Sequence, residues 1–165
     1  MIDYKSGDCL FCGFKEQFPE LVIYETGSWS IFHHTRKSWP TGTLTLVSRN
    51  HGMLSDISAD NWRDAAPLMT AVSRMQIDLC QAERTYLLSF SEVQIHFHLV
   101  MIPKKKEHSV HYGGRFGLDL LNSFLTNGPP ASITVPEMMA MYRNVVDAYV
   151  ATARAGDVPN ANETE

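Results

Sequence analysis

The chain has 165 residues, 44% of them hydrophobic, which predicts a globular domain with a real core and excludes a disordered chain. Its formal net charge of −4 at pH 7 leaves no electrostatic footprint for duplex nucleic acid. No stretch approaches the ~18 apolar residues that span a bilayer, and residues 1–8 lack the apolar centre of a signal peptide. We therefore expect a cytoplasmic protein with no nucleic-acid or membrane partner.

Alternating apolar and polar residues, interrupted by turn residues, predict five β-strands. The expected strands cover residues 21–25, 29–33, 42–48, 85–90 and 94–102. In the last strand His96, His98 and Val100 face the same way, because successive side chains point to opposite sides. The two imidazoles then lie ~7 Å apart, which suits two neighbouring roles in one pocket. Imidazole titrates near neutrality, binds metals and can attack phosphorus.

Two amphipathic helices are also expected. Ser58 is placed to cap the first, and Pro67 is expected to kink that helix or to shorten its start. The capping box Thr134-Val135-Pro136-Glu137 opens the second. Their predicted apolar stripes are Trp62, Ala65, Met69, Val72 and Leu79 in the first helix and Met138, Met141, Val145 and Tyr149 in the second. Strands and helices in this order predict an α+β domain with a mostly antiparallel sheet.

The segments between and beyond these elements are interpreted as follows. Residues 107–133 predict a long loop of the kind that forms lids or dimer contacts. Residues 157–165 are polar and predict a flexible tail, so a single domain is expected over residues 1–156. The run Lys104-Lys105-Lys106 directly follows the histidine strand and can meet a phosphate there.

Three cysteines are too few, and odd in number, for a disulfide framework. Cys80 falls within the first helical pattern and is expected to be inert core. Cys9 and Cys12 form a C-x-x-C knuckle that fits two buried thiols, a redox pair or half of a zinc site. A redox pair of the thioredoxin type would need a βαβ setting, which the pattern does not offer. Zinc would need two further ligands, for which His51 and His96 are available.

These motifs, in this order, resemble the histidine-triad superfamily of nucleotide hydrolases and transferases. The resemblance rests on the Cys9–Cys12 knuckle, on the strand from Gly42 to His51, and on a histidine strand that ends at Pro103. Glu92, four residues before His96, is typical of a branch common in bacteria. The resemblance covers roughly residues 8–106, which form the expected core. It implies the histidine-triad fold, with about five antiparallel strands, a central helix and a C-terminal helical extension over about 134–155.

The resemblance also implies a structural zinc ion and a homodimer. Zinc-bearing members of the family use two cysteines, the histidine at the end of the third strand and the first histidine of the triad. Here those positions are Cys9, Cys12, His51 and His96. Relatives pair through the central helix and an edge strand, so the stripe of Trp62, Met69 and Val72, or the loop after Pro103, is the expected contact.

By the same resemblance His98 is the nucleophile, which attacks the α-phosphorus of a nucleotide and forms a nucleotidyl-histidine. The implied substrates are nucleoside phosphates, phosphoramidates and dinucleoside polyphosphates. Val100 stands where the family has its third histidine, and this departure favours as an alternative a catalytically weakened protein that binds a nucleotide or a partner. The nucleotide-binding positions are Phe32, His34, Ser91 and Val100.

Two further sets of residues bear on this site. An apolar base pocket is expected from Phe11, Phe14, Ile31 and Phe32. Valine at position 100 cannot donate a hydrogen bond as the family's third histidine does. The other histidines that can replace this donor are His33, His34, His108 and His111.

Overall fold

The computed structural model describes residues 9–34, 40–89, 95–105 and 134–156. Its five strands form one antiparallel sheet in the order β1-β2-β3-β5-β4. The strands are β1 (Val22–Glu25), β2 (Trp29–His33), β3 (Leu44–Ser48), β4 (Arg84–Leu88) and β5 (His98–Lys104). The helices are α1 (Phe14–Gln17), α2 (Ala59–Cys80) and α3 (Val135–Ala155). The predicted α+β class is therefore confirmed.

The two faces of the sheet have different surroundings, and strand periodicity assigns each residue to one of them. Leu44, Leu46 and Met101 join the main core, which also contains the buried faces of α2 and α3. Val47 and Val100, on the opposite face, belong to two smaller apolar clusters. The second face, the open face, is therefore the one that the long helices do not cover, although its strand residues Val47 and Val100 are themselves buried.

Helix α2 begins where the sequence predicts, because the Ser58 side chain accepts a hydrogen bond from the Asn61 backbone at 3.2 Å. Of the two effects expected of Pro67, the shortened start does not occur, since the 22-residue helix runs through this position. Val72 is fully buried in the chain's own core and cannot contact a partner, whereas Trp62 and Met69 are only partly buried there.

Helix α3 has the predicted capping box between Thr134 and Glu137, and it ends at Gly156 in the left-handed conformation. Of its predicted stripe, Met138 is buried, Val145 and Tyr149 are partly buried and pack against the core, and Met141 is not part of it. The buried residues are Met138, Met139, Tyr142, Val146 and Val150. The difference arises because α3 packs against both α2 and β1, so its buried face is rotated from the stripe read from periodicity.

The histidine strand starts later than predicted. Strand β5 begins at His98, and His96 and Phe97 precede it. Their position is fixed because Phe97 donates to the Gly52 carbonyl at 2.7 Å and accepts from the Ser48 amide at 3.2 Å. The predicted loop over 107–133 and the tail over 157–165 lie outside the described residues. Among the described helices, none has the length and apolar character needed to cross a membrane.

Gly42 joins β2, β3 and both long helices at one point. Its φ of +93° is a conformation that favours glycine. Its carbonyl accepts hydrogen bonds from Gln76 at 2.9 Å and Tyr142 at 3.0 Å, and its amide donates to Nε2 of His33 at 3.2 Å. An added Cβ would lie 2.5 Å from Sγ of Cys80. The start of β3 is therefore held in place from several sides.

Candidate functional site

Four cysteine and histidine side chains converge beside the start of β5. Cys9 and Cys12 come from the turn before α1, His51 follows β3, and His96 precedes β5. Their potential ligand atoms all lie within 4.8 Å of one another. Sγ of Cys9 is 3.3 Å from Nδ1 of His96, and Sγ of Cys12 is 3.2 Å from Nδ1 of His51. The structure thus brings together the four residues that the sequence nominated for a metal.

The chemistry of this group fits a soft divalent cation. Nε2 of His96 lies 2.6 Å from the Ser48 carbonyl oxygen, and since a carbonyl can only accept, this nitrogen carries the proton. The lone pair on Nδ1 then faces the two sulfurs, as in metal sites whose histidines are oriented by a second hydrogen bond. Burial, and then the hydrogen bond and charge of Cys9, raise the pKa of the Cys12 thiol to about 11. A cation would offset that effect by stabilising the thiolates.

His98 lies next to this cluster but has a different hydrogen-bond pattern. Its Nδ1–H donates to the His96 carbonyl at 2.8 Å, which leaves the lone pair on Nε2. Burial lowers the pKa of His98 below its usual 6.5, although the hydrogen bond to His96 opposes the shift. The phenyl ring of Phe11 lies against the imidazole, with ring centroids 4.4 Å apart and planes inclined at 37°. His98 is therefore a neutral, oriented imidazole at neutral pH.

The open sheet face around His98 is mainly apolar. Cross-strand pairing places His98 in a row with Ser30 and Val47. The neighbouring row consists of Phe32, Thr45, Val100 and Leu88. Val100 is 6% exposed and packs with Ile102, Tyr86 and Leu88. A hydrogen-bond donor from residue 100 is thus absent from the row beside His98.

No protein-family model and no curated protein matches this chain. Among solved structures, a zinc-bound histidine triad family protein from Mycobacterium smegmatis is 16% identical, with a TM-score of 0.62 over 92% of this chain and 99% of that one. A hypothetical histidine triad nucleotide-binding protein from Sulfolobus tokodaii is 16% identical, with a TM-score of 0.57 over 88% and 94%. This chain has the histidine-triad fold. A uridylyltransferase is also similar, at 16% identity and a TM-score of 0.58 over 86% of this chain and 46% of that one.

Within the histidine-triad fold, the structure separates the histidines proposed to replace the third triad residue. His33 is 3% exposed, and its ring is fully engaged between Gly42 and the His34 carbonyl, 3.0 Å from Nδ1. His33 is therefore a core histidine and not a replacement donor. His34 directly follows β2, and its backbone amide donates to the Thr43 carbonyl at 2.9 Å. His108 and His111 lie outside the described residues.

The remaining sequence candidates fall into different environments. Phe32 stacks on Phe14, with ring centroids 4.3 Å apart on the open face, whereas Ile31 is buried under the helices and cannot line a base pocket there. Lys104 is 4% exposed and paired with Glu83, so it is not available to a phosphate. Ser91 lies outside the described residues.

Sequence reasoning did not identify Ser48 and Gly52 as parts of the site. Ser48 orients the His96 ring through its carbonyl, and the Gly52 carbonyl holds the backbone at Phe97. Both act through main-chain atoms, which any residue type supplies. No side-chain pattern could have indicated these contacts.

Proposed function

We propose that this protein is a nucleotide hydrolase or nucleotidyl transferase that works through a nucleotidyl-histidine on His98. The observation that carries the proposal is the 2.8 Å hydrogen bond from Nδ1 of His98 to the His96 carbonyl, which directs an unprotonated Nε2 away from the backbone. Such an imidazole is a competent nucleophile near neutral pH. The histidine-triad fold and the uridylyltransferase similarity support nucleotide chemistry as its class.

In the proposed reaction the Nε2 lone pair of His98 attacks the α-phosphorus of a nucleoside phosphate, phosphoramidate or dinucleoside polyphosphate. The bond from phosphorus to the leaving group breaks, and the leaving group keeps the electron pair and is protonated by solvent. Water or another acceptor then attacks phosphorus, and the P–N bond breaks to restore the neutral imidazole. The His96 carbonyl holds the Nδ1 proton throughout and stabilises the charge that the ring carries in the intermediate.

Cys9, Cys12, His51 and His96 are proposed to hold one zinc ion. Zinc would supply a fixed tetrahedral cross-link between the knuckle before α1 and the start of β5, with no open position for a reacting water. His96 then serves as a ligand through its ring and as an acceptor through its backbone. Because the ligands come from three separate segments, the metal is proposed to stabilise the fold around His98.

The nucleotide is proposed to lie on the open sheet face. Phe32 and Val100 lie in the row next to the nucleophile. Since they are only 3% and 6% exposed, they would form the floor of the site beneath the base and the phosphate. His34, after β2, is proposed to approach the ribose. Ser91 remains a proposed phosphate contact on the resemblance alone.

A second candidate function is binding of a nucleotide or partner without turnover. The observation that favours it is the burial of Val100 among Ile102, Tyr86 and Leu88, which gives an apolar surface where the family has a donor. Loss of one such donor commonly costs ~10²–10³ in rate. Weak catalysis and pure binding therefore remain two distinct outcomes of one experiment.

That experiment is intact-protein mass spectrometry after incubation with a panel of dinucleotides and nucleoside phosphoramidates, followed by peptide mapping. We expect a mass increase of one nucleotidyl group on His98 in the wild type and none in His98→Ala. Nucleotide binding in equilibrium dialysis, with no adduct and no turnover, would instead support the binding function. If the protein neither binds a nucleotide nor forms an adduct, both the catalytic and the binding function are contradicted.

We further propose that the protein is a homodimer, as its resemblance implies. The edge strand β4 and the helix α2 expose apolar side chains, with Leu87 50% exposed and Ile77 45% exposed. These two residues replace Val72 as the proposed contacts, because Val72 is buried within the chain. Light scattering at micromolar concentration tests the dimer, and a monomer mass would overturn it.

A further inference from the structure

Phe11 is the second of the two residues between the cysteines of the knuckle, and its ring contacts the rings of His96 and His98. Its centroid is 4.4 Å from that of His98 and 5.7 Å from that of His96, where the rings meet edge to face. Aromatic pairs at these distances favour particular orientations over free rotation. Phe11 is thus a side chain that touches the proposed nucleophile, while the next residue in the chain, Cys12, is a metal-ligand candidate.

The surroundings of Phe11 leave its ring little choice of position. It packs against the cluster of Phe14, Phe32 and Val47 on the open sheet face. Val47 is the cross-strand partner of His98, so the ring rests over this part of the sheet. Cys12, the next residue in the chain, has its Sγ 3.2 Å from Nδ1 of His51. The place of the ring therefore depends on the knuckle on one side and on the sheet on the other.

We propose that Phe11 is a positioning residue that transmits the state of the Cys9–Cys12 knuckle to the imidazole of His98. With the knuckle closed on its cation, the phenyl ring is held against the imidazole and restricts rotation about its side-chain bonds. With the knuckle open, the ring moves away and the orientation of Nε2 is no longer fixed from that side. The importance of this for catalysis rests on the proposed function, whereas the coupling itself does not.

A competing route runs through the backbone, because the His96 carbonyl also holds His98 at 2.8 Å. If that route carried all of the coupling, the metal site would influence His98 whatever residue stood at position 11. A cycle that combines a change at Cys12 with a change at Phe11 separates the two routes. The test therefore measures His98 itself and not only turnover.

The probe is diethyl pyrocarbonate, which carbethoxylates unprotonated imidazole nitrogen, with the rate at His98 followed by peptide mass spectrometry. The full chain is used, zinc-loaded and checked for folding by circular dichroism. We expect Phe11→Ala to raise the rate at His98 by roughly twofold to tenfold, the range that one aromatic pair controls. Phe11→Tyr, which keeps the ring, should restore the wild-type rate. Leu10→Ala is the matched control in the same turn, since Leu10 is 41% exposed, and it should leave the rate unchanged.

The cycle then compares Cys12→Ser in two backgrounds. We expect Cys12→Ser to raise the carbethoxylation rate of His98 in the wild type. In Phe11→Ala it should cause no further increase, because the ring that couples the knuckle to His98 is already absent. An equal increase in both backgrounds would assign the coupling to the His96 backbone and overturn the proposal. If Cys12→Ser does not fold, the Phe11 variants alone still decide, since a wild-type rate in Phe11→Ala overturns it equally.

Nucleotidylation of His98 provides the second readout. At saturating substrate we expect Phe11→Ala to slow adduct formation several-fold, because the imidazole is no longer held in its reactive orientation, and saturation removes any effect of the ring on substrate binding. A wild type that forms no adduct would contradict the proposed function, while the carbethoxylation rates would still decide whether Phe11 couples the knuckle to His98.

Discussion

The backbone carbonyl group of His96 accepts a hydrogen bond from the ring of His98. Nδ1 of His98 donates to the His96 carbonyl at 2.8 Å, while Nδ1 of His96 itself lies 3.3 Å from Sγ of Cys9. The first histidine thus joins the metal-ligand group with its side chain and holds the second with its backbone. Opposite choices of free nitrogen, Nδ1 in His96 and Nε2 in His98, suit them to different chemistry.

The first prediction concerns the metal. We expect one zinc per chain in protein purified without chelator, and less than half an equivalent in Cys9→Ser, measured by elemental mass spectrometry. The variant should also lose about 3 kcal/mol or more of unfolding free energy, since binding to a site assembled by folding stabilises the fold. Cys80→Ala is the control, because Cys80 is buried in the core away from the ligand group and its loss should not alter zinc content. A zinc-free wild type as stable as Cys9→Ser would contradict the prediction.

The second prediction concerns His98. His98→Ala should abolish the nucleotidyl adduct and turnover, because the ring nitrogen that forms the P–N bond is gone. Zinc content should be unchanged, and stability should fall by about 1–2 kcal/mol, since the variant loses the contact with Phe11 and the hydrogen bond to the His96 carbonyl. Activity that survives in this variant would show that another residue is the nucleophile.

The third prediction concerns Val100. Val100→His should raise turnover by at most ~10²–10³, the value of one restored donor to the phosphoryl oxygens. Because Val100 is packed against Tyr86 and Leu88, the larger side chain should cost about 1–3 kcal/mol of stability. Val100→Ile enlarges the same position without a donor and should give no increase. An equal gain in both variants, or no gain in Val100→His, would show that residue 100 does not limit the reaction as a missing donor.

The fourth prediction is a pH dependence of stability that arises from His33. Burial lowers the pKa of His33 in the folded state below its usual value of 6.5, despite the opposing hydrogen bond to His34. The unfolded chain therefore binds more protons as pH falls through 6.5, and stability is lost between that pH and the lower folded pKa. The contribution of His33 to the free energy of unfolding changes by at most about 1.4 kcal/mol per pH unit.

Urea unfolding from pH 8 to pH 5 measures this effect in the wild type and in His33→Gln. The two proteins share every other titratable group, so the difference between their pH profiles is the informative quantity. We expect the variant to lose less stability over this pH interval. If the unfolding free energies of the two proteins follow parallel curves against pH, His33 is not held neutral by the fold.

The fifth prediction concerns Gly42. Gly42→Ala should destabilise the protein by about 2–4 kcal/mol, because φ is +93° and the new Cβ would lie 2.5 Å from Sγ of Cys80 and 3.0 Å from the Tyr142 hydroxyl. Gly27→Ala is the matched control, since nothing lies within 4 Å of its added Cβ. Thermal unfolding of both variants is the measurement. Similar melting temperatures would contradict the role given to Gly42.

Local signals in the sequence determined much of this fold. The caps at Ser58 and Thr134 mark helix starts, because a side-chain oxygen there satisfies a backbone amide within three residues. Strand β2 has the predicted bounds, since its alternation is bordered by a turn on one side. The four metal-ligand candidates were also nominated from sequence, by residue type and by resemblance. Such features depend on neighbours in the chain or on the chemistry of single side chains.

Only the tertiary structure decided the surroundings of these residues. Met141 was expected in the core, but the packing of α3 on α2 and β1 buries Tyr142 instead. His33 and His98 look alike in sequence. In the structure, however, His33 accepts a hydrogen bond from the Gly42 amide in the core, whereas His98 keeps its Nε2 unprotonated on the open face. The contact between Phe11 and His98 joins residues 87 positions apart, counted along the sequence. Burial and ring contacts arise from long-range packing, which residue spacing does not encode.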